Sequence, residues 1–161
     1  MLELGAGLGL CSLTVAAAGA SEVVASETSS VMAALQCSIA RNEHLDGHRA
    51  IRVAELTWGL GGEEAALGPG AFDIVSGTDL LYSPSLHAPL LATLRHVLTP
   101  GVSTLVLAYE ERAGEDAFFR EAERDLGLVG EYIDLATDSN DVRVFVGARV
   151  QGARRVAGAE A

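Results

Sequence analysis

Apolar residues in this chain gather into short runs that alternate between two spacings. Met1–Leu4, Glu22–Ser26, Ile51–Leu56, Phe72–Gly77 and Val102–Tyr109 are compact apolar or β-branched runs of strand length, the last the most strongly apolar. Between them the spacing turns helical. Leu8–Ala18 is an apolar run closed by Gly19, and Thr28–Asn42 sets Val31, Met32, Leu35 and Ile39 near an i, i+3, i+4 repeat. Ser85–Leu98 ends at Pro100-Gly101, Glu115–Leu126 forms a further helix, and Leu60–Gly70 reads as a glycine-rich loop. Strands over Leu128–Asp134 and Asp141–Arg149 follow with no room for a crossover helix, so they form a hairpin. This order predicts an α/β fold: an open, doubly wound seven-stranded sheet, mostly parallel with an antiparallel last strand.

Composition narrows the class of protein. With 161 residues, 49% of them apolar, the chain makes one domain with material for a three-layer core, spanning 1–150 and followed by a disordered tail over 151–161. The net charge of -11 argues against nucleic acid, whose binding rests on Lys and Arg displacing counterions, and suits basic protein segments instead. Acidity serving solubility alone is the other reading. Cys11 and Cys37 fall in helices without C-x-x-C spacing, which points to small buried residues in a reducing compartment and to neither zinc nor disulfides. Leu8–Ala20 is too short to span a bilayer and lacks a basic leader, so the expectation is a cytoplasmic protein with no membrane partner.

Candidate chemistry clusters where the strands end. Leu2-Glu3-Leu4-Gly5-Ala6-Gly7-Leu8-Gly9 joins a short strand to a helix through alternate glycines, the arrangement of a turn beneath a nucleotide-like ligand. Dinucleotide turns carry G-x-G-x-x-G, but here Leu10 occupies the third glycine's place, so the register favours S-adenosyl-L-methionine (AdoMet) over NAD. Glu27, at the end of the second strand, can accept hydrogen bonds from both ribose hydroxyls, or is an acid favoured by the following helix dipole. Trp58, the only tryptophan, follows the third strand and either stacks on an adenine or fills the core. Asp79 follows the fourth strand, at the rim of the expected crevice and out of open water, where an unused charge is costly; the alternative is a turn or cap acid. Tyr82 lines the same rim or wedges the next helix.

Taken together, Glu55-Leu56-Thr57-Trp58-Gly59, Phe72-Asp73-Ile74-Val75, Asp79-Leu80-Leu81-Tyr82, and Tyr109-Glu110-Glu111-Arg112 followed by Phe118-Phe119 resemble the seven-stranded AdoMet-dependent protein-lysine methyltransferases with an Asp-x-x-Tyr motif, family 16 of the methyltransferase-like 21 type. The resemblance runs from Leu2 to Arg149. It implies a Rossmann-like class I methyltransferase fold in which Glu3, Gly5, Ala6, Gly7 and Gly9 line the methionine and ribose side of AdoMet, Glu27 holds the ribose and Trp58 flanks the adenine. Asp79 and Tyr82 would line the place where the acceptor lysine meets the methyl group, Asp79 touching the cofactor as well. No metal is implied. Chaperones, an AAA ATPase and elongation factors are the acceptors known in that group, so a non-histone protein substrate is expected.

Three departures from the family pattern accompany this. Relatives carry a tryptophan-containing segment before the first strand that closes the AdoMet site, so the expected domain lacks the usual N-terminal segment and transfers methyl groups slowly or not at all. Ser38 also stands where many relatives have asparagine, and Glu27 where Asp is usual. The acceptor is not fixed by the fold. A methyltransferase acting on another acceptor and a catalytically silent binding domain are therefore the competing readings.

Overall fold

The computed structural model describes residues 1–59, 67, 72–111, 114–133 and 142–150. Strands β1 (Leu2–Leu4), β2 (Val23–Glu27), β3 (Ile51–Glu55), β4 (Ile74–Thr78), β5 (Thr104–Glu110), β6 (Leu128–Ile133) and β7 (Val142–Arg149) form one sheet in the order β3-β2-β1-β4-β5-β7-β6. β1 to β5 pair in parallel, and β7 runs antiparallel to both neighbours. Helices α1 (Leu10–Ala17), α2 (Ser29–Arg41), α3 (His87–Val97) and α4 (Glu115–Leu126) connect the strands. The expected architecture is therefore the one formed. The expected ends of the last two strands at Asp134 and Asp141, the residues 60–66 and 68–70 of the Leu60–Gly70 loop, Arg112 and the 151–161 tail lie outside the described residues.

β1, β2 and β4 owe their runs of apolar residues to burial on both faces. Leu2, Leu4, Val24, Val75 and Leu105 are each fully buried in the main core, as is Phe118 from α4. α4 carries its own end signals: Gly114 precedes it, Glu115 and Asp116 sit in its first turn, Arg124 in its last, and Gly127 closes it in a left-handed conformation. Several boundaries move by one or two residues from the sequence reading, and two of the shifts have a visible cause. α1 starts at Leu10 because residues 5–9 are taken up by the turn, whose glycines all have positive φ. β5 starts at Thr104 because Ser103 bonds back to Thr99 through both its amide and its hydroxyl, leaving Val102 exposed. The cysteine expectation is corrected in part: Cys37 is exposed on α2 and Cys11 half-buried, since α2 buries only Leu35 fully and turns Cys37 outward.

One side chain near the end of the sheet ties the helices down. Arg149 donates from Nη1 to the carbonyls of Arg95 at 2.9 Å and Leu98 at 2.8 Å, and from Nε to the carbonyl of Leu126 at 3.1 Å. These carbonyls lie in the last turns of α3 and α4, where backbone acceptors lack helical partners and the dipole favours a cation. Burial and the nearby Arg95 hold the guanidinium below its ordinary pKa. We expect Arg149→Ala to cost about 1–3 kcal/mol after solvent screening, and Arg149→Lys to recover only part of it, since an ammonium lacks the planar fork that reaches all three carbonyls. Urea midpoints of the three proteins measure this.

Candidate functional site

Strand order reverses between β1 and β4, so the connections leaving β1 and β4 diverge and open a crevice at the carboxyl ends of the strands. A cavity of about 440 Å³ sits there. Gly5 after β1, Glu27 ending β2, Leu56, Thr57 and Trp58 after β3, and Thr78, Asp79, Leu80 and Tyr82 from the end of β4 line it together. Its volume lies within the range that accommodates small-molecule ligands.

The glycine turn is held in shape from below. Glu3 is 1% exposed, and its Oε2 accepts the Ser12 amide at 2.9 Å and the Ser12 hydroxyl, binding β1 to the first turn of α1. At Gly5 and Gly9 a Cβ would come within 2.8 Å of the terminal methyls Leu80 Cδ2 and Ile39 Cδ1, so those side chains would have to shift, and the positive φ of 60° and 80° favours glycine at both. Gly7 differs. Its added Cβ would meet nothing within 4 Å, so only its φ of 55° demands glycine there. Gly5 is the member of the turn that lines the cavity; Ala6 is buried in a smaller core cluster with Leu35, and Glu3 is spent on Ser12 beneath the turn.

Glu27 is fixed before any ligand arrives. Its Oε2 accepts the Gly7 amide at 3.1 Å, and Oε1 accepts the Thr28 amide at 2.9 Å and the Thr28 hydroxyl at 3.2 Å. The carboxylate braces the entry to α2, as the helix-start reading expected, and it also lines the cavity. Thr28 Oγ1 also lies 3.1 Å from Ser30 Oγ, so it has a second partner when a ligand takes its place on Glu27. Trp58 packs against the main core, as the core-filling reading expected, and it also lines the cavity. The next residue fixes it, Gly59 donating to Thr93 Oγ1 at 3.0 Å with φ at 79°.

Asp79 and Tyr82 do share the crevice, with one correction. Asp79 is exposed, so the argument from an expensive desolvated charge does not hold; the backbone carries the signal instead. Asp79 is the only non-glycine residue with positive φ (54°) among the described residues, held by its amide donating to Ala108 O at 2.7 Å. Tyr82 is 58% exposed at the mouth. Thr28, Ser30, Val31, Leu56, Thr57, Thr78, Leu80, Leu86 and Pro89 complete the wall without having been singled out as site residues; for Leu56, Thr57, Thr78 and Leu80 the position at or just after a strand end was the available signal, whereas Leu86 and Pro89 come from the start of α3 and carried none. Ser38 lies elsewhere, in an apolar hollow between α1 and α2, and its carbonyl accepts from Asn42 Nδ2 at 2.8 Å. No group of three or more His, Cys, Asp or Glu that could hold a metal occurs among the described residues, and no described helix is long and apolar enough to cross a membrane.

Residues 1–125 match the family described as lysine methyltransferase. Among curated proteins, the chain is 34% identical over 150 residues to EEF1A lysine methyltransferase 3 of Mus musculus, covering 91% of this chain and 59% of that protein. It is 32% identical over 120 residues to protein N-lysine methyltransferase METTL21A of Danio rerio, covering 74% and 53%. Calmodulin-lysine N-methyltransferase of Arabidopsis thaliana matches at 29% over 149 residues, covering 90% and 47%. The chain thus spans about half to three fifths of these relatives' lengths. Among solved structures, the glycopeptide N-methyltransferase MtfA superposes with a TM-score of 0.73 at 17% identity, covering 92% of this chain and 87% of that one. The fold is that of the class I methyltransferases.

Burial lifts the Glu3 carboxyl above its ordinary value of 4.5; the Ser12 hydrogen bonds pull it part of the way back and Glu27 pushes it up further. The folded state then holds this proton more tightly than the unfolded chain does. Its contribution to stability is full below the unfolded pKa and is lost as pH rises through the raised folded value. Relative to Glu3→Gln, which does not titrate, the protein is expected to lose stability with rising pH across that window, as read by urea midpoints taken from about pH 4 to 8.

Proposed function

The chain belongs to the lysine methyltransferase family, and from that premise we propose that it transfers the methyl group of AdoMet to a lysine side chain of a non-histone protein. The observation that carries this reading is the convergence of Gly5, Glu27, Trp58, Asp79 and Tyr82 on one cavity at the reversal of strand order. The cradle suits AdoMet. A carboxylate already aimed into the cavity serves a ribose, a half-buried indole serves an adenine, and the glycine turn brings backbone close without side chains. When bound, AdoMet supplies a methyl group already activated on a sulfonium, so no covalent enzyme intermediate is required.

The protein's task is then to present a neutral amine. A free lysine, with a pKa of about 10.4, is overwhelmingly protonated at pH 7, a deficit of about 4–5 kcal/mol. Leu80, Leu86, Pro89 and Trp58 make the cavity wall largely apolar, which disfavours the ammonium through desolvation. Asp79 acts in the opposite sense. An exposed carboxylate stabilises the ammonium, so its role is to capture and orient the lysine at the mouth while deeper, apolar surroundings favour proton loss to solvent. Tyr82 offers an aromatic wall to the aliphatic stem and to the cationic nitrogen. The excess of acidic over basic residues, 22 against 11, suits a basic acceptor segment, and two of the relatives are named for protein acceptors, EEF1A and calmodulin. The reading places this activity in the cytoplasm, with a protein as substrate.

The test incubates the purified chain with isotopically labelled AdoMet and a cell lysate, then locates label by mass spectrometry; label on lysine supports the reading, and label confined to small molecules or other side chains overturns it. Glu27→Ala is expected to weaken AdoMet binding by about 10- to 100-fold in calorimetry, the worth of charge-assisted hydrogen bonds. Asp79→Asn, which keeps a residue tolerant of positive φ, and Tyr82→Ala should lower single-turnover transfer by about tenfold or more while AdoMet affinity changes little. Equal losses in both quantities would move these two residues into the cofactor's own shell.

A further inference from the structure

The segment that carries Asp79 and Tyr82 is held at its beginning and middle, but its exposed aromatic ring is not. Asp79 is pinned through its amide to Ala108 O, and the side chains of Leu80 and Leu81 are each only 4% exposed. Tyr82 follows at 58% exposure, so its ring takes its place from the backbone it springs from rather than from core packing. The next point of attachment is the Leu81 carbonyl, which lies 3.4 Å from Nε2 of His87, the first residue of α3. His87 is 8% exposed, and its ring meets Phe118 of α4 edge-on, centroids 5.4 Å apart at 67°. Gly114, at the start of α4, stands at its other side: an added Cβ would come 4.0 Å from His87 Cε1.

We propose that His87 is a positioning residue for lysine transfer, whose Nε2–H holds the Leu81 carbonyl while its ring rests on Phe118, so that the Asp79–Tyr82 turn is set relative to α4. This rests on the reading of Asp79 and Tyr82 as the acceptor side of the crevice. The chemistry of the residue supports it. A buried apolar gap beside Phe118 is filled as well by leucine or phenylalanine, and an imidazole there carries a desolvation cost that only its hydrogen bond offsets. By reaching back from α3, the side chain closes the loop from Leu81 to His87 and removes freedom from its exposed residues, Tyr82 first. The tautomer required is the one with the proton on Nε2, which donates to the carbonyl.

The test separates the ring from the donor in the full chain. His87→Gln keeps a terminal N–H at similar reach and loses the ring; His87→Phe keeps a ring and loses the donor, and His87→Leu repeats the donor-less arm at smaller volume. Amide hydrogen exchange over residues 80–83, AdoMet dissociation constants, and kcat and KM for an unmethylated peptide carrying the lysine labelled in the lysate experiment are measured for each. The donor-less variants are expected to exchange about three- to tenfold faster at Tyr82 and Ser83 and to lose a similar factor in kcat, with AdoMet affinity within about twofold and glutamine restoring both. Donor-less variants that match the natural chain, a glutamine variant as impaired as phenylalanine, or folding lost without the ring whatever the donor would each overturn the proposal. If the natural chain transfers nothing to lysine, the functional reading fails, and the exchange rates still decide whether His87 holds the turn.

Discussion

A carboxylate that never reaches the cavity governs the geometry of everything that does. Glu3, in the central strand and 1% exposed, is bound through Oε2 to the amide and hydroxyl of Ser12. Leaving those donors or that acceptor unpaired in the core would be costly, so β1 and the first turn of α1 are fixed to one another. The five residues between them have to turn within that fixed gap. Only then do the contacts of Gly5 with Leu80 and of Gly9 with Leu35 and Ile39 follow, and only then does the Gly7 amide reach Glu27. The cradle is thus a consequence of a buried hydrogen-bonded acid, with the glycines accommodating it.

Much of this was legible beforehand because it depends on spacing. The alternation of strand and helix runs, the α4 boundaries and the convergence of Gly5, Glu27, Trp58, Asp79 and Tyr82 follow from where strands end and on which side of a reversal in strand order they end. What spacing cannot express is direction. Sequence position puts Glu3 next to the glycines but does not say that its side chain points under the turn and away from the crevice. It places Asp79 after a buried strand but not in a left-handed backbone conformation at an exposed position. Cys37 has an apolar composition and an outward rotation on its helix, and only the second decides its exposure. Contacts made across long separations, such as Arg149 with Arg95 and Leu98, leave no local trace at all.

The crevice divides by how its residues are held. Glu27 and Trp58, on the side suited to an adenosine, are braced by hydrogen bonds or core contacts, so little ordering is left for binding to accomplish. Asp79 and Tyr82 sit at the open side with exposed side chains and a backbone fixed behind them. Under the proposed function, the braced side would receive the small cofactor and the exposed side the larger, irregular acceptor.

The position of β7 between β5 and β6 has a consequence for the chain as it is made. On a ribosome, β6 is synthesised before the strand that links it to the rest of the sheet, so the edge of β5 and the whole of β6 must wait for Val142–Arg149 to emerge. During that interval a seven-residue apolar strand offers unpaired backbone groups along one side, the kind of edge that recruits other chains. The order that completes the sheet also makes its assembly all-or-none at the carboxyl-terminal side. A nascent chain stalled before residue 142 would hold a cofactor cradle with nothing to close the sheet beside it.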